Sequence, residues 1–203
     1  MGNDLDKLSP FLPEQCLVTV HSWLHQGGVR LRITASRRSK LGDFRNSEPG
    51  KAPVISINSD LNKYTFFVVF VHEYAHYKVW KQYGRKAKPH GKEWKIIYTE
   101  LMMPFLTPAI FPAELLFALK RYFNDPRAAS GTDLLLTRQL KTFDAPSQSL
   151  TVEEIAPNAV FALPDGRKFR KIELLRKRYK CLCLKNNRIY LFHPLAEIIP
   201  VAI

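Results

Sequence analysis

The sequence predicts an α+β fold in two parts: helices around a small sheet, then a small β module. Short alternating or apolar segments, typical of strands, occupy residues 29–58, whereas apolar residues recur at helical spacing over 60–123. Beyond a stretch rich in Pro, Gly, Ser and Asp at 124–150, short strands return between turn residues. We therefore expect a larger domain, a linker and a β module, over residues 1–125, 126–155 and 156–203.

The first expected elements are one helix and three strands. Residues 13–26 begin with proline and are followed by Gly27, a pattern typical of a helix. Residues 29–36 alternate between apolar and polar or basic side chains, which predicts a half-buried strand with a basic outer face. Residues 41–45 and 52–58 are short strand candidates that would complete a small sheet.

Residues 60–83 combine two conflicting signals. Their apolar run has strand propensity, but it continues without a turn signal, and Ser59 or Asp60 can cap a helix start. A helix that is apolar all round is a buried helix, so we predict a buried helix here. Residues 91–103 and 112–123 show apolar side chains at helical spacing and predict two more helices.

The expected β module consists of two strand pairs. Residues 160–163 and 168–172 flank a Pro-Asp-Gly turn. Residues 179–184 and 188–192 flank Asn186-Asn187, a two-residue hairpin signal.

The composition is that of a folded protein with excess positive charge. The 203 residues are 46% hydrophobic and 24% charged, so a sizeable core can be buried. Lys and Arg total 31 against 18 Asp and Glu, which gives a formal charge of +13. Such a charge attracts polyanions, so DNA or RNA is an expected partner, although a basic surface also aids solubility. The sequence carries no signal for an oligomeric state.

Cysteine content and apolar runs favour a cytoplasmic protein with no membrane partner. Three cysteines make an odd number and no disulfide framework. The first residues lack the basic and apolar stretches of a signal peptide. The longest apolar run, residues 66–71, is too short to span a bilayer.

The strongest motif is His72-Glu73-Tyr74-Ala75-His76 on the predicted buried helix. Residues four apart lie about 40° from each other around a helix axis, so both imidazoles can reach one zinc ion at about 2.0–2.1 Å. Glu73 is rotated about 100° from His72 and can act on a water bound to the metal. The alternative is a chance motif with two core histidines, but Glu73 would then be an expensive carboxylate beside an apolar run.

A catalytic zinc has three protein ligands, and His90 is the candidate for the third. It follows His76 by 14 residues and precedes Gly91, at the start of the next predicted helix. His21 and His25 are also four apart, but no acidic residue lies between them. We interpret that pair as a partly exposed helix face.

The motif, together with the segment His90-Gly91-Lys92-Glu93-Trp94, resembles the SprT-like zinc metallopeptidase family in its bacterial form, a family that includes the eukaryotic protease Spartan. Residues 39–45 and 55–58 are similar to the two strand segments before the motif helix of that family. The resemblance covers about residues 10–120. It implies a minimal zincin-like domain in which a small sheet packs on the motif helix beside an open cleft.

By this resemblance, His72, His76 and His90 bind one zinc ion, and Glu73 is the catalytic residue that activates a zinc-bound water for peptide hydrolysis. The implied substrates are proteins associated with nucleic acid. The rival hypothesis is a non-enzymatic nucleic-acid-binding, transcription-associated protein on an inert zincin scaffold, against which the retained Glu73 argues. A third reading, a metal-free protein with a chance motif, would leave the His90-Gly91 spacing as a coincidence.

The chain departs from this family near its end. Many members carry a zinc ribbon with two Cys-x-x-Cys pairs, whereas this chain has only Cys181-x-Cys183. Alternation places both thiols on one face of a strand, so we assign them to the core or the sheet surface. We predict no second zinc and a ribbon-like β module without the zinc cysteines.

The predicted β module is strongly basic. Residues 163–190 contain ten basic residues against Asp165 and Glu173, a net charge of +8 out of +13 for the chain. Aromatic residues among them can stack on bases, although a solvated basic face is an equal alternative. A second basic cluster covers 30–45. We predict nucleic-acid contacts from seven residues: Arg167, Lys168, Arg170, Lys171, Arg176, Lys177 and Arg178.

Overall fold

A computed structural model describes residues 2–37, 39–46, 50–124, 126, 133–146 and 149–201, with side chains from residue 5 onward. The chain divides into two compact units, Met1–Asp144 (unit 1) and Ala145–Ile203 (unit 2). Both helices and strands are present, as an α+β fold requires. None of the helices in these ranges is both long and apolar enough to cross a membrane.

Unit 1 surrounds one long helix with shorter helices and a small sheet. Two short 3-10 turns, Glu14–Cys16 and Met103–Phe105, adjoin its helices. The helices are α1 (Gly2–Leu8), α2 (Leu17–Gly27), α3 (Lys63–Tyr83), α4 (Lys92–Met102), α5 (Ala113–Phe123) and α6 (Leu134–Lys141). The strands are β1 (Arg30–Thr34), β2 (Gly42–Arg45) and β3 (Val54–Asn58).

The sheet of unit 1 has the order β1-β3-β2. The central strand β3 is parallel to β1 and antiparallel to β2. Ile55 and Ile57 of β3 are fully buried, because a central strand covered by a helix needs apolar side chains on its inner face. Arg30 and Arg32 of β1 are exposed, which confirms the predicted basic outer face of that strand.

Helix α3 confirms the predicted buried helix but begins at Lys63, three residues after the predicted start at residue 60. The Asn62 side chain, not Ser59 or Asp60, accepts hydrogen bonds from the N–H groups of Tyr64 and Thr65. Asparagine in this extended conformation satisfies helix N–H groups that would otherwise lack acceptors. The apolar run 66–71 is buried throughout, so packing outweighs its strand propensity.

Aromatic side chains connect α3 to its neighbours. Trp23 of α2 stacks on Tyr74 with ring centroids 5.0 Å apart, and Phe67 meets Phe105 edge to face at 4.9 Å. The Tyr74 hydroxyl donates to the Trp23 carbonyl at 3.1 Å, and the Tyr77 hydroxyl to the Gly27 carbonyl at 2.8 Å. These bonds satisfy carbonyl groups at the end of α2 and hold it against α3.

The predicted linker over 126–155 is wrong where α6 lies. Asp133 caps this helix by accepting from the Leu136 N–H at 3.0 Å, and Leu136 and Leu140 are buried in the core of unit 1. This four-residue spacing of leucines is a helical signal, which the surrounding turn-forming residues obscured. Residues 127–132 and 147–148 of the predicted linker lie outside the described ranges. Helix α1 was also not predicted.

Unit 2 is a six-stranded antiparallel sheet with the order β4-β9-β5-β6-β7-β8. Its two strand pairs were predicted, whereas β4 and β9 were not. The strands are β4 (Leu150–Thr151), β5 (Val160–Ala162), β6 (Lys168–Leu174), β7 (Tyr179–Cys183), β8 (Ile189–Phe192) and β9 (Glu197–Pro200).

The core of unit 2 is small and includes both thiols of the Cys-x-Cys pair. Cys181 and Cys183 are buried beside Phe161 and Phe169, so of the two predicted alternatives they belong to the core. The hairpin between β7 and β8 is present, but its turn is longer than predicted. The Cys183 N–H donates to the Arg188 carbonyl at 2.9 Å, which leaves a four-residue loop, 184–187, between the paired residues.

Candidate metal centre

Three histidines from two separate segments converge in unit 1. His72 and His76 lie one turn apart on α3, with ring centroids 5.0 Å apart. His90 precedes α4, and its backbone has a φ of 58°, in the left-handed region that non-glycine residues rarely adopt. This turn directs the chain into α4, which begins after Gly91. Strain of this kind persists where the surrounding structure maintains it, often at functional sites.

The Nε2 atoms of these histidines lie close enough together to bind one ion. His76 Nε2 is 2.9 Å from His90 Nε2, which is 3.2 Å from His72 Nε2. Three ligands around a tetrahedral zinc would be about 3.3 Å apart, given bonds of about 2.05 Å. The observed separations fit that geometry closely. In the described part of the chain, this is the group of His, Cys, Asp and Glu side chains suited to a metal ion.

The donor and acceptor roles available to the three ring nitrogens also favour a cation between them. A neutral imidazole nitrogen is either a donor or an acceptor. His90 Nε2 faces the Nε2 atoms of both His72 and His76 but carries only one N–H or one lone pair, so it can complete a linear hydrogen bond with only one of them. A cation that accepts three lone pairs removes this conflict.

The histidines are held in the neutral form that binds metals. Burial lowers the pKa of His72 to about 3, assisted by the neighbouring His76 and His90. Burial likewise lowers the pKa of His76 to about 4, assisted by His90, and lowers the pKa of His90. Since metal ligands must be deprotonated, the site is prepared for a cation at neutral pH.

Glu73 lies beside the histidines without joining them. Its Oε1 is 4.0 Å from His72 Nε2, and the residue is only 8% exposed. Burial raises the pKa of Glu73 to about 7, whereas a hydrogen bond from the Phe44 backbone N–H opposes that rise. The carboxylate therefore lies beside the cluster but is not one of its three converging ligands, as its rotation about the helix axis predicted.

Strand β2 approaches Glu73 because Gly42 has no side chain. A Cβ at Gly42 would lie 2.6 Å from Val69 Cγ1 and 3.1 Å from Glu73 Cγ, both on α3. The Phe44 N–H thereby reaches the carboxylate. Sequence reasoning treated residues 41–45 only as a strand and missed this role. A glycine within a strand signals close approach of another segment, and that signal was available.

A polar network holds the chain that leads into β2. The Asn58 side chain donates to the carbonyls of Arg37 and Lys40, both at 3.1 Å, and accepts from Arg37 Nε at 2.8 Å. Asp43 pairs with Arg37, Lys40 and Arg45. Burial alone would raise the pKa of Asp43, but these hydrogen bonds outweigh it and hold the pKa below its usual value.

Trp94 packs directly against the histidine cluster. Its ring centroid lies 4.7 Å from those of His72 and His90 and 5.4 Å from that of His76. The residue is fully buried, and its Nε1–H finds no hydrogen-bond acceptor among the described residues. These contacts mean that Trp94 limits how far the imidazole rings can move.

A cleft of about 740 Å³ starts at His90 and follows α4 toward the end of α5.

The predicted nucleic-acid residues of unit 2 separate into exposed and buried positions. Lys168, Arg170 and the basic turn Arg176-Lys177-Arg178 are exposed. Arg167 is also exposed and pairs with Asp165 at 2.8 Å. Lys171 is different: the prediction that it contacts nucleic acid is wrong, because its side chain points into the unit.

Lys171 is 5% exposed and bound within unit 2. Its ammonium donates to the carbonyls of Ile155 at 2.6 Å and Glu153 at 3.3 Å, and it lies 4.2 Å from the centre of the Tyr179 ring. A buried charge is tolerated only when it is compensated in this way. Strand alternation with Phe169, which is buried, would have placed Lys171 on the inner face.

Comparisons with known proteins point to one family. Residues 14–111 match the model of the SprT-like family. A segment of 27 residues is 70% identical to Protein SprT of Salmonella arizonae, Salmonella newport and Salmonella heidelberg. That segment is 13% of this chain and 16% of each relative, so the likeness covers about one sixth of the relatives' length. No solved structure matches.

Proposed function

We propose, from the match of residues 14–111 to the SprT-like family model, that the chain is a zinc-dependent metallopeptidase with a zincin-like catalytic domain. One observation carries the proposal: three histidine Nε2 atoms converge at metal-binding distances, with the Glu73 carboxylate 4.0 Å from the nearest of them. A structural zinc site has four protein ligands, leaves no open position and needs no carboxylate beside it. A catalytic zinc site has three protein ligands, one open position and a nearby acid–base group.

The proposed reaction is hydrolysis of a peptide bond. A zinc ion held by His72, His76 and His90 would supply a Lewis acid that polarises the scissile carbonyl and acidifies water. Glu73 accepts a proton from the attacking water and transfers it to the leaving amine. The Phe44 N–H orients the carboxylate, and Trp94 keeps the ligand rings in position.

Metal analysis combined with two substitutions tests this function. The purified protein should contain about one zinc per molecule, and His72→Ala should contain almost none. Glu73→Gln should keep the zinc but lose cleavage of a DNA-bound protein, measured with and without DNA and a chelator. Glu114→Gln, an exposed carboxylate on α5, is the matched control and should behave as wild type.

The outcomes separate the proposed function from its rival. Zinc binding without any cleavage would favour a non-enzymatic protein on an inert scaffold. Cleavage that survives Glu73→Gln would remove the acid–base role of this residue. A chain that binds no metal would exclude the metallopeptidase and favour the third reading, a metal-free protein with a chance motif.

We also propose that the substrates are proteins associated with DNA or RNA. The exposed turn Arg176-Lys177-Arg178 supports this, because clustered cations release counterions from phosphates on binding. Reversing these three charges should weaken binding to DNA and reduce the slope of affinity against salt by up to about three. Reversing Arg85, Lys86 and Lys88, three exposed cations of unit 1, is the control. Equal losses from both variants would show that this turn is not the binding surface.

A further inference from the structure

Unit 2 has two terminal strands, and only one of them is protected. Strand β4 consists of two residues, Leu150–Thr151, and shortness is a common way to keep a sheet edge from pairing. At the other end, β8 has the sequence Ile-Tyr-Leu-Phe with no charged residue, proline or glycine. Such an edge is competent to pair with another strand.

The backbone of β8 has one side available for pairing. The Cys183 N–H donates to the Arg188 carbonyl, which places alternate residues from Arg188 onward, including Tyr190 and Phe192, toward β7. The N–H and C=O groups of Ile189 and Leu191 therefore point away from β7. Because β8 ends the sheet within the described residues, these groups form the outer rim of unit 2.

The side chains on this edge are apolar. Ile189 is 47% exposed and Leu191 is 52% exposed, whereas Tyr190 and Phe192 pack inward on Phe169. Leu182 of β7 lies opposite Ile189 on the outer face. A strand laid along β8 would bury these side chains together with the unpaired backbone groups. We call Ile189, Leu191 and their outward backbone groups the β8 edge.

The charges around the β8 edge select its partner. Residues 174–192 contain six basic residues and no acidic one: Arg176, Lys177, Arg178, Lys180, Lys185 and Arg188. Lys180 is compensated by Glu173 of β6 at 3.1 Å, so the selection rests on the other five cations. Two copies of this chain paired edge to edge would bring these cations within about a Debye length of each other, about 8–10 Å. A nucleic acid would be attracted by the cations but would gain nothing from two exposed aliphatic side chains and a row of strand amides.

From these observations we propose that the β8 edge binds an extended acidic peptide segment by adding it as a seventh strand to the sheet. Backbone hydrogen bonds to Ile189 and Leu191 supply affinity, and alternate apolar side chains of the peptide cover those two residues. Carboxylates at the intervening positions lie on the other face of the added strand, where alternation places Arg188 in line with Tyr190 and Phe192. The inference is independent of the metal site and of peptidase activity.

The test uses the 203-residue chain and a fluorescent peptide of alternating Glu and Val. We expect the peptide to bind, and Leu191→Ser to weaken binding by about ten-fold or more, since burial of a leucine side chain is lost. Ile199→Ser is the matched control: Ile199 on β9 is 51% exposed, and three strands separate β9 from β8. A peptide methylated on alternate backbone nitrogens should not bind, which tests strand pairing without changing the protein.

Several results would overturn the proposal. Equal binding of the methylated and unmodified peptides would exclude strand addition. Equal effects of Leu191→Ser and Ile199→Ser would exclude the β8 edge. Self-association that depends on Leu191, measured by sedimentation, would make a second copy the occupant. Displacement of the peptide by single-stranded DNA, with DNA affinity itself reduced by Leu191→Ser, would identify a nucleic-acid surface instead.

Discussion

Among the described residues, each unit buries one Asp, Glu, Lys or Arg side chain, Glu73 in unit 1 and Lys171 in unit 2, and the two are compensated in opposite ways. Lys171 of unit 2 is compensated by two backbone carbonyls and an aromatic ring. Glu73 of unit 1 has a single opposing hydrogen bond from the Phe44 backbone, and its pKa rises to about 7 because burial disfavours the carboxylate. The buried charge of Lys171 is thus compensated, whereas burial of the Glu73 carboxylate costs free energy.

The difference supports the proposal that Glu73 is functional and that Lys171 is structural. An under-compensated buried carboxylate destabilises a fold, and its position beside three histidines fits the proposed chemical task. A buried lysine with its donors satisfied needs no such explanation. Burial alone does not distinguish Glu73 from Lys171, since both residues are less than a tenth exposed. The two residues differ in their hydrogen-bond partners.

The largest expected effect separates the two residues by activity. Glu73→Gln should reduce peptide hydrolysis by about 10²–10⁴-fold, the usual contribution of a general acid–base group. Lys171→Met should leave the rate per folded molecule unchanged. Initial rates at saturating zinc, normalised to the folded fraction, measure both. A comparable loss of hydrolysis rate in Lys171→Met would contradict the proposed difference between the two residues.

Loss of a metal ligand should have the next largest effect. His90→Ala removes one of three ligands, and we expect zinc affinity to fall by about 10²-fold or more, because apparent binding energies of about 10–16 kcal/mol are shared among few ligands. Competition with a chromogenic chelator measures the affinity. His21→Ala, on the partly exposed face of α2, should leave it unchanged. Wild-type affinity in His90→Ala would remove this residue from the site.

Gly42→Ala tests the support of Glu73 by β2. The added methyl would lie 2.6 Å from Val69 Cγ1, and overpacking of this kind costs about 1–3 kcal/mol of unfolding free energy. Combining it with Val69→Ala removes the clashing atom and should recover part of the loss. Chemical denaturation of the single and double variants measures the coupling. Strictly additive losses of unfolding free energy would mean that the added methyl at position 42 does not clash with Val69.

The smallest expected effect concerns Lys171 and the stability of unit 2. Lys171→Met keeps a similar shape but leaves the Ile155 carbonyl without its donor, at a cost of about 1–2 kcal/mol. Lys168→Met, exposed on the same strand, should change stability by less than about 0.5 kcal/mol. Thermal or denaturant unfolding followed in unit 2 makes the comparison. Equal effects would show that the bonds of Lys171 contribute nothing.

The amino-acid sequence by itself determined those features that depend on neighbours within a few residues. Helical pitch places His72 and His76 on one side of α3, and the apolar run makes that helix buried. Alternation indicates the strands of both units and the shared face of Cys181 and Cys183. His90 was found from its spacing and from resemblance to a family. Its left-handed backbone was not foreseen.

Only the tertiary structure decided which distant segments meet. The contact of Gly42 and Phe44 with Glu73 joins residues about thirty positions apart, the carbonyls that compensate Lys171 come from a loop before β5, and α6 lies where turn-forming residues predicted a linker. Local periodicity records which face of an element is buried. It does not record what that face packs against, because that depends on turn geometry, strand register and the packing of all other elements at once.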